Sequence, residues 1–233
     1  MKSDTSILSL TGVRYRWPGR ASFGLDIPDF RLAQSESVLL LGESGSGKST
    51  LLSLICGTII ADDGVVMVAD TDIASLTAGN RDRFRAEHIG LIFQQFNLLP
   101  YASVLDNILL PLRFAPLRSA RVLSPRDTAR TLCLDLGLPE DAISAQAGTL
   151  SVGQQQRVAA ARALIGAPPL IVADEPTSAL DAATQATFLN LLFAQARASC
   201  STLLMVSHDA RLEPHFDRVV QMSDVTQTTR GQL

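Results

Sequence analysis

The stretch that decides the fold is Gly42-Glu43-Ser44-Gly45-Ser46-Gly47-Lys48-Ser49-Thr50. It fits the pattern G-x-x-x-x-G-K-[ST] of a phosphate-binding loop. An apolar run at 38–41 predicts a buried strand before the loop, and residues 51–55 predict a helix after it. Glycines tolerate positive φ, so backbone N–H groups close around phosphate oxygens beside the positive end of that helix. The sequence therefore predicts a nucleoside triphosphate site.

Two polar side chains of the loop are predicted to contact the triphosphate or its metal ion. Lys48 reaches the β- and γ-phosphates, and the hydroxyl of Ser49 binds Mg²⁺. A glycine-rich turn without a ligand is the alternative, and the strand and helix on either side argue against it. The residues predicted to surround the phosphates are Gly42, Ser44, Gly45, Ser46, Gly47, Lys48, Ser49 and Thr50.

Composition narrows the class of protein. The 233 residues are 46% hydrophobic, enough for one sizeable core with one inserted subdomain. A formal net charge of -3 without a cluster of basic residues disfavours a nucleic-acid partner. Apolar runs are of strand length and Met1–Thr5 is no secretory signal, so we expect a cytoplasmic chain. Its cysteines, Cys56, Cys133 and Cys200, are expected to be reduced core residues.

A β-hairpin is predicted from Ile7 to Phe30, with alternating apolar residues on either side of Pro18-Gly19. Trp17, the only tryptophan, lies at the turn and is predicted to stack on the adenine ring, since stacking needs only an aromatic face. Tyr15 competes for that role, but its place in the alternation favours packing within the hairpin. A half-buried hairpin residue is the alternative for Trp17.

The middle of the chain changes from strands to helices. Residues 81–87 predict a solvated charged helix, and residues 89–93 predict another buried strand. Gln94 follows that strand at its carboxyl end, where open α/β sheets place ligand contacts. Its amide is predicted to reach a metal ion or to orient a water, and a loop-capping role is the alternative. From Asn97 to about Leu150, prolines interrupt short helices, which predicts a helical insertion with few contacts to the sheet.

A second helix start follows the insertion at Leu150-Ser151-Val152-Gly153-Gln154. The proline-free segment 155–164 predicts the helix, and Ser151 is its expected N-cap. A serine, a glycine and a glutamine at a helix start also form an anion site. Many helices begin with serine, so this motif alone says little.

Two carboxylates, Asp174 and Glu175, end the apolar strand predicted at 170–173. Burying both is costly unless they bind a ligand or accept hydrogen bonds. Neighbouring side chains on a strand point to opposite faces. Asp174 is therefore predicted to hold Mg²⁺ through its water shell, and Glu175 to act as the general base for the attacking water. A surface turn is the alternative.

The last part of the chain completes the predicted site. Asp181 is expected to cap a helix that runs through Leu191. A strand at 201–206 leads to His208, which is predicted to hold the γ-phosphate and the general base in place. The polar tail from Ser223 to Leu233 is expected to fray.

Together these motifs resemble those of ATP-binding cassette (ABC) ATPase domains, over essentially the whole chain. The stretch 89–100, followed by 106–108, is similar to ATPase subunits of bacterial lipoprotein-releasing and macrolide-export transporters. The resemblance implies a single ABC ATPase domain over 1–233. Its fold would be α/β: a RecA-like P-loop NTPase core sheet (1–94 and 155–233), an N-terminal antiparallel β subdomain and an inserted helical subdomain (about 95–154). The motifs that carry the resemblance are 42–50, Gln94, 150–154, 173–175, 178–181 and His208.

The resemblance also implies a mechanism with ATP and Mg²⁺. Two copies form a homodimer that closes on ATP and opens when hydrolysis occurs at Glu175, and Asp181 lies across the interface. The helical insertion and Gln94 pass the motion to an integral membrane permease, on the cytoplasmic face of the inner membrane. Each ATP is held by the phosphate loop of one chain and by three residues of the other: Ser151, Gly153 and Gln154.

Some positions depart from the family pattern. The motif at 150–154, which we call the signature motif, commonly reads Leu-Ser-Gly-Gly-Gln in the family, and here Val152 replaces the first glycine. We expect a helical φ at Val152, where valine costs well under about 1 kcal/mol, and an active site that still closes. A positive φ would instead cost roughly 1–3 kcal/mol. Ser35 stands where a glycine is common before Glu36, and segment 145–149 lacks the common Tyr-Pro.

Two other functions compete with a transporter ATPase. A soluble ABC ATPase acting on ribosomes or DNA usually has two cassettes, coiled-coil inserts or zinc modules, and this chain has one cassette without heptads or cysteine clusters. A P-loop kinase or GTPase is disfavoured by the 150–154 motif and by the lack of an Asn-Lys-x-Asp sequence. The transported substrate, and the direction of transport, are not encoded in these motifs.

Overall fold

The computed structural model describes residues 6–17, 23–178 and 182–230. The strands β1 to β10 are, in order, Ser6–Arg16, Phe23–Ala33, Ser37–Leu41, Asp63–Val68, Thr71–Asp72, Ile89–Ile92, Leu170–Asp174, Thr202–Ser207, Arg218–Gln221 and Gln227–Arg230. The α-helices α1 to α8 are Lys48–Ile55, Ala78–His88, Val104–Leu109, Pro116–Ala120, Pro125–Asp135, Val152–Leu164, Ala182–Ala198 and Met222–Val225. Within the described ranges, no helix has the length and apolar character needed to cross a membrane.

The chain divides into two compact units. The first is Met1–Arg85 with Leu204–Leu233, and the second is Ala86–Leu203. The helical insertion predicted at about 95–154 falls in the second unit together with β6, β7 and α6. Its boundaries stay a prediction.

The first unit contains an antiparallel sheet in the order β10-β2-β1-β4-β5. β1 and β2 pair antiparallel, with Val13 opposite Ile27, which confirms the predicted hairpin. Its Pro18-Gly19 turn lies outside the described residues. Alternate side chains of β1, among them Leu8 and Leu10, are fully buried because one face of the strand packs on the core. This sheet is the N-terminal antiparallel β subdomain expected from the sequence.

The phosphate loop of the first unit connects a buried strand to a packed helix. β3 lies between β8 and β9, and Val38 pairs with Arg218 in parallel register. Every residue of β3 is buried, as in a strand covered on both faces. The loop then leads into α1, whose Leu51, Leu54 and Ile55 are buried. The loop is therefore anchored at both ends.

The polar tail does not fray over its described part, so that expectation is wrong. Residues 222–225 form α8, and 227–230 form β10. β10 pairs antiparallel with β2, from Gln227 opposite Asp26 to Arg230 opposite Phe23. The pairing satisfies backbone N–H and C=O groups whatever the side chains are, so polar composition did not indicate disorder here.

The second unit is built around α6. β6 and β7 pair in parallel, with Ile92 opposite Ala173. α6 packs on β6, and α3 and α5 pack on α6. Gly90 permits the close approach of β6 and α6, because a Cβ there would lie 2.2 Å from the carbonyl oxygen of Ala163.

Gly90→Ala is expected to destabilise the protein by roughly 1–3 kcal/mol or more, because the added methyl meets backbone that cannot move aside. Urea unfolding followed by circular dichroism measures the change. Gly79→Ala is the matched control, since a Cβ at Gly79 meets nothing within 4 Å and lies in α2. That control should keep or raise the stability. Equal unfolding midpoints for the two variants would contradict the close approach.

A buried arginine, Arg118, caps the C-terminal end of α6. Arg118 is 1% exposed, and its Nε donates to the carbonyl oxygen of Ile165 at 2.6 Å. Its Nη2 donates to the carbonyl oxygen of Ala163 at 2.7 Å. These carbonyls belong to a helix end that lacks intrahelical partners, where a cation is favoured by the helix dipole. Burial lowers the pKa of the Arg118 guanidinium to about 10; Arg121 adds to this shift and Glu87 opposes it.

Two expectations about exposure are wrong. Glu87 was expected on a solvated helix, but it is 2% exposed because its carboxylate accepts the backbone N–H of Arg118 at 2.6 Å and caps α4. Cys200 was expected in the core, but it is exposed in the turn between α7 and β8. Cys56 and Cys133 are buried as expected, and burial raises the pKa of the Cys133 thiol to about 12.

Candidate functional site

The phosphate loop has the backbone that its glycines permit. Gly45 and Gly47 have φ of +77° and +101°, which side-chain-bearing residues rarely adopt. Gly47 is the N-cap of α1 and supplies no side-chain acceptor to the first N–H groups of the helix. Ser46 Oγ is buried and has no hydrogen-bond partner among the described residues. A phosphate group would satisfy both the helix start and this hydroxyl.

Lys48 lies inside the loop and not in solvent. It is 7% exposed, and its Nζ donates to the carbonyl oxygens of Gly42 at 2.6 Å and Glu43 at 3.0 Å. These two contacts hold the ammonium group against the backbone of the loop. The structure therefore places the cation of Lys48 inside the loop, and its contact with the β- and γ-phosphates stays a prediction.

A pocket of about 470 Å³ lies beside the loop in the same unit, and His208 lines it. The backbone N–H of Gly42 donates to the carbonyl oxygen of Ser207 at 3.2 Å, which ties the loop to the residue before His208. Glycine is needed at this wall, since a Cβ on Gly42 would lie 2.8 Å from both Met222 Cβ and Ser46 Oγ. The structure thus brings His208 and the phosphate loop together.

The two aromatic residues at the end of β1, Tyr15 and Trp17, differ in exposure. Trp17 is 37% exposed, and its Nε1 donates to Thr50 Oγ1 at 3.2 Å. Tyr15 is 8% exposed, with its ring edge-on to that of Trp17 at a centroid distance of 5.4 Å. Trp17 is the more exposed of the two and is hydrogen-bonded to the last residue of the phosphate loop, which favours it over Tyr15 as the adenine plate.

In the second unit, three predicted site residues lie at the carboxyl ends of two neighbouring strands. Since Ile92 of β6 pairs with Ala173 of β7, Gln94 and Asp174 lie at the same carboxyl edge. Glu175 comes directly after β7 with φ of +43°. A non-glycine residue in this left-handed region costs about 1–3 kcal/mol, and such strain concentrates at functional sites. This edge thus collects the predicted amide and both predicted carboxylates.

The start of α6 has the predicted cap. Ser151 Oγ accepts the N–H of Gln154 at 3.3 Å, and Gln154 Oε1 accepts the N–H of Ser151 at 2.9 Å, a reciprocal capping box. Val152 is the first residue of α6 and does not have a positive φ, which confirms the helical conformation expected there. Ser151 and Val152 are exposed. Asp181 lies outside the described residues, so its role stays a prediction.

Two side chains of α6 that the sequence did not single out hold neighbouring loops. Gln156 is 1% exposed, and its Nε2 donates to the carbonyl oxygen of Pro176 at 2.7 Å. Arg162 donates to the carbonyl oxygens of Phe96 at 2.5 Å and Asn97 at 2.7 Å. These pairs are 20 to 66 positions apart in the sequence, and no local pattern signals such contacts.

Comparison with known proteins identifies the family: residues 25–178 match the ABC transporter family. The chain belongs to the ABC transporter family. It is 40% identical over 196 residues to the lipoprotein-releasing system ATP-binding protein LolD of Syntrophotalea carbinolica, covering 84% of this chain and 85% of that protein. It is 42% identical over 190 residues to the macrolide export ATP-binding/permease protein MacB of Rhodopirellula baltica, covering 81% of this chain and 27% of that protein.

The structural neighbours of this ABC transporter chain include a dimeric ATP-binding cassette in a post-hydrolysis state bound to ADP and Pi. That cassette has a TM-score of 0.78 and 30% sequence identity, and the match covers 97% of this chain and 100% of the other. The fold is thus the predicted P-loop NTPase fold. The chain is an ATP-binding subunit of an ABC transporter and an ATPase. The matches support this interpretation and not that of an ATPase acting on ribosomes or DNA.

Proposed function

We propose that two copies of this ABC transporter subunit enclose ATP between them, and that its hydrolysis reopens the dimer and drives a membrane permease. The observation that carries the proposal is the exposed, capped start of α6. Among the described residues, the helix starts of α1 and α6 both fit an anion, and they belong to different units. The triphosphate bound by the phosphate loop would occupy the helix start of α1. The helix start of α6 would then bind the ATP held by a partner subunit. The likeness to a dimeric cassette with ADP and Pi supports this arrangement.

Four side chains have proposed roles in hydrolysis. Glu175 acts as general base for the attacking water, and Gln94 orients that water. Lys48 stabilises charge on the β- and γ-phosphates, as its place inside the loop supports. His208 holds the γ-phosphate, as its place on the pocket beside the loop supports. None of these roles requires a covalent intermediate on the protein.

Mg²⁺ is the metal that the proposed ligands fit. A hydroxyl, a carboxylate and an amide oxygen, those of Ser49, Asp174 and Gln94, are the hard oxygen donors it prefers. Ser49 is exposed beside Lys48, and Asp174 ends β7 next to Glu175. Mg²⁺ held by oxygen donors of this kind would neutralise charge on the phosphate oxygens.

Across the dimer, we assign Ser151, Gly153, Gln154 and Asp181 to the ATP held by the partner's phosphate loop. Ser151 Oγ already accepts one hydrogen bond from within α6, which leaves its O–H free to donate to a phosphate oxygen. Gln154 Oε1 fixes the backbone at the cap. The site is therefore preorganised before the partner arrives, which lowers the entropy cost of closure.

The proposed permease would dock on the exposed apolar side chains of the second unit, which gives the subunit a peripheral place on the cytoplasmic face of the inner membrane. Tyr101, Phe114, Leu117 and Leu123 are all largely exposed, and we propose that they contribute to the docking surface. LolD and MacB are named for lipoprotein release and macrolide export. We propose a transporter of that general type for this subunit, with the substrate chosen by the permease.

Site-specific photo-crosslinking tests the permease proposal. A benzoylphenylalanine at position 101 should crosslink to an integral membrane protein in native membranes, because Tyr101 is 74% exposed in the second unit. The same group in place of Arg83, exposed on α2 of the first unit, is the control and should not give that product. A crosslink from position 101 to a ribosomal protein, or no crosslink to any membrane protein, would reject the transporter partner.

Trp17→Ala is expected to raise the Kd for ATP roughly tenfold, because base–aromatic stacking contributes about 1–3 kcal/mol. Equilibrium dialysis with labelled ATP measures the change. Trp17→Phe keeps an aromatic face and should recover most of the affinity, although it loses the hydrogen bond to Thr50. If Tyr15→Leu weakened ATP binding more than Trp17→Ala, the two aromatic roles would be reversed.

A further inference from the structure

The loop that carries Gln94 is a tight turn in an uncommon backbone conformation. Phe96 N–H donates to the carbonyl oxygen of Phe93 at 2.9 Å, and Asn97 N–H donates to that of Gln95 at 2.6 Å. Phe96 and Asn97 have φ of +59° and +48°. Two successive non-glycine residues in the left-handed region persist only when their surroundings hold them there.

Arg162 is the side chain that holds this turn. Its Nη1 and Nη2 donate to the carbonyl oxygens of Asn97 and Phe96, so a single planar fork bridges both left-handed residues. Arg162 is 8% exposed, and burial lowers the pKa of its guanidinium. Burying a cation is costly unless hydrogen bonds compensate, and these two contacts supply that compensation.

Arg162 also joins the turn to the helix that begins with the signature motif. It lies in the last turn of α6, whose 13 residues extend about 20 Å from the cap at Ser151. Gln156, on the same helix, holds the carbonyl of Pro176, the residue after Glu175. One rigid element therefore presents the anion site at its start and holds the two loops that follow β6 and β7.

We propose that Arg162 is a positioning residue for ATP hydrolysis, which fixes Gln94 and passes displacement of α6 on to it. When the partner's ATP engages the start of α6, the helix moves as a unit, and the fork of Arg162 carries the turn with it. The inference rests on the function proposed above. It adds that the position of Gln94 depends on α6, through Arg162, and not only on β6, the strand that precedes Gln94.

Arg162→Met should lower kcat roughly 10- to 100-fold, since small misplacements of a catalytic group have effects of this size. The KM for ATP and the Kd for nucleotide should stay within about twofold, because the side-chain hydrogen bonds of Arg162 go to the carbonyl oxygens of Phe96 and Asn97 and not to residues of the phosphate loop. Arg121→Met is the matched control. Arg121 Nη1 also donates to the carbonyl oxygens of two successive left-handed residues, Gly166 at 3.4 Å and Ala167 at 3.1 Å. The Arg121→Met variant should therefore have an unchanged kcat.

Two further measurements separate positioning from general stability. If Arg162 acts through Gln94, the double variant Arg162→Met with Gln94→Ala should lose no more kcat than Gln94→Ala alone. Arg162→Lys keeps a cation in place with a single donor group, so it should fold and recover only part of kcat. Additive losses in the double variant, or wild-type kcat in both single Arg162 variants, would overturn the proposal.

Hydrogen exchange in nucleotide-free protein tests the inference independently of hydrolysis. The amides of Phe96 and Asn97 should exchange at least about tenfold faster in Arg162→Met than in the wild type, with β7 amides unchanged. Unchanged exchange in the turn would reject the positioning role even if the protein is an active ATPase. Faster exchange in a chain that forms no dimer with ATP would retain the contact and reject the proposed function instead.

Discussion

Glu175→Gln is expected to slow ATP hydrolysis by about 10²–10⁴-fold, equivalent to roughly 3–5 kcal/mol of barrier. Glutamine has the same shape as glutamate, and Glu175 follows β7 with φ of +43°, so the substitution leaves the strained backbone as it is and removes only the base. Phosphate release under saturating ATP measures the rate. Binding of ATP should be retained, because the phosphate loop is untouched.

The same variant should accumulate as an ATP-bound dimer, because closure is favoured by ATP and reopening needs hydrolysis. Size-exclusion chromatography with and without ATP follows this change in mass. Glu213→Gln, which removes an exposed carboxylate from the 3-10 helix Ala210–His215 of the first unit, is the charge-matched control and should turn over normally. Wild-type turnover in Glu175→Gln would remove Glu175 from the role of base, and a strictly monomeric ATP-bound variant would contradict the sandwich.

Local chemistry made much of this site predictable from the sequence. The phosphate loop needs glycines at fixed spacing, and the structure has positive φ at Gly45 and Gly47. The cap at Ser151 follows from the affinity of a serine hydroxyl for free helix N–H groups. The register of β6 with β7 brings Gln94 to the edge of the two carboxylates, as their places after apolar strands indicated.

What the sequence did not predict depends on contacts between distant segments. Arg162 and Arg118 read as ordinary arginines of helical segments, yet both are buried and bound to backbone carbonyls far along the chain. Glu87 is buried because α4 starts against it, which a charge pattern on its own helix cannot indicate. Such residues are fixed by tertiary packing, where composition and periodicity carry no signal.

Lys48→Ala is the second large expected effect and acts on binding, not on chemistry. The Kd for ATP should rise by roughly 10²-fold or more, because a charge-assisted contact to the triphosphate is lost. The loop also loses its internal bridge, since Lys48 Nζ donates to the carbonyl oxygens of Gly42 and Glu43. Equilibrium dialysis with labelled ATP measures affinity, and a thermal melt establishes that the variant is folded.

Lys48→Arg is the sharper companion variant, because it keeps the charge and changes the shape. This chain has lysine at only two positions, Lys2 and Lys48, and otherwise uses arginine for positive charge. A compact ammonium fits between the two loop carbonyls at 2.6 and 3.0 Å, whereas a planar guanidinium is wider and must displace one of them. Lys48→Arg should therefore fail to restore ATP affinity. Tight ATP binding in Lys48→Ala with only the rate reduced would instead place Lys48 in the chemical step alone.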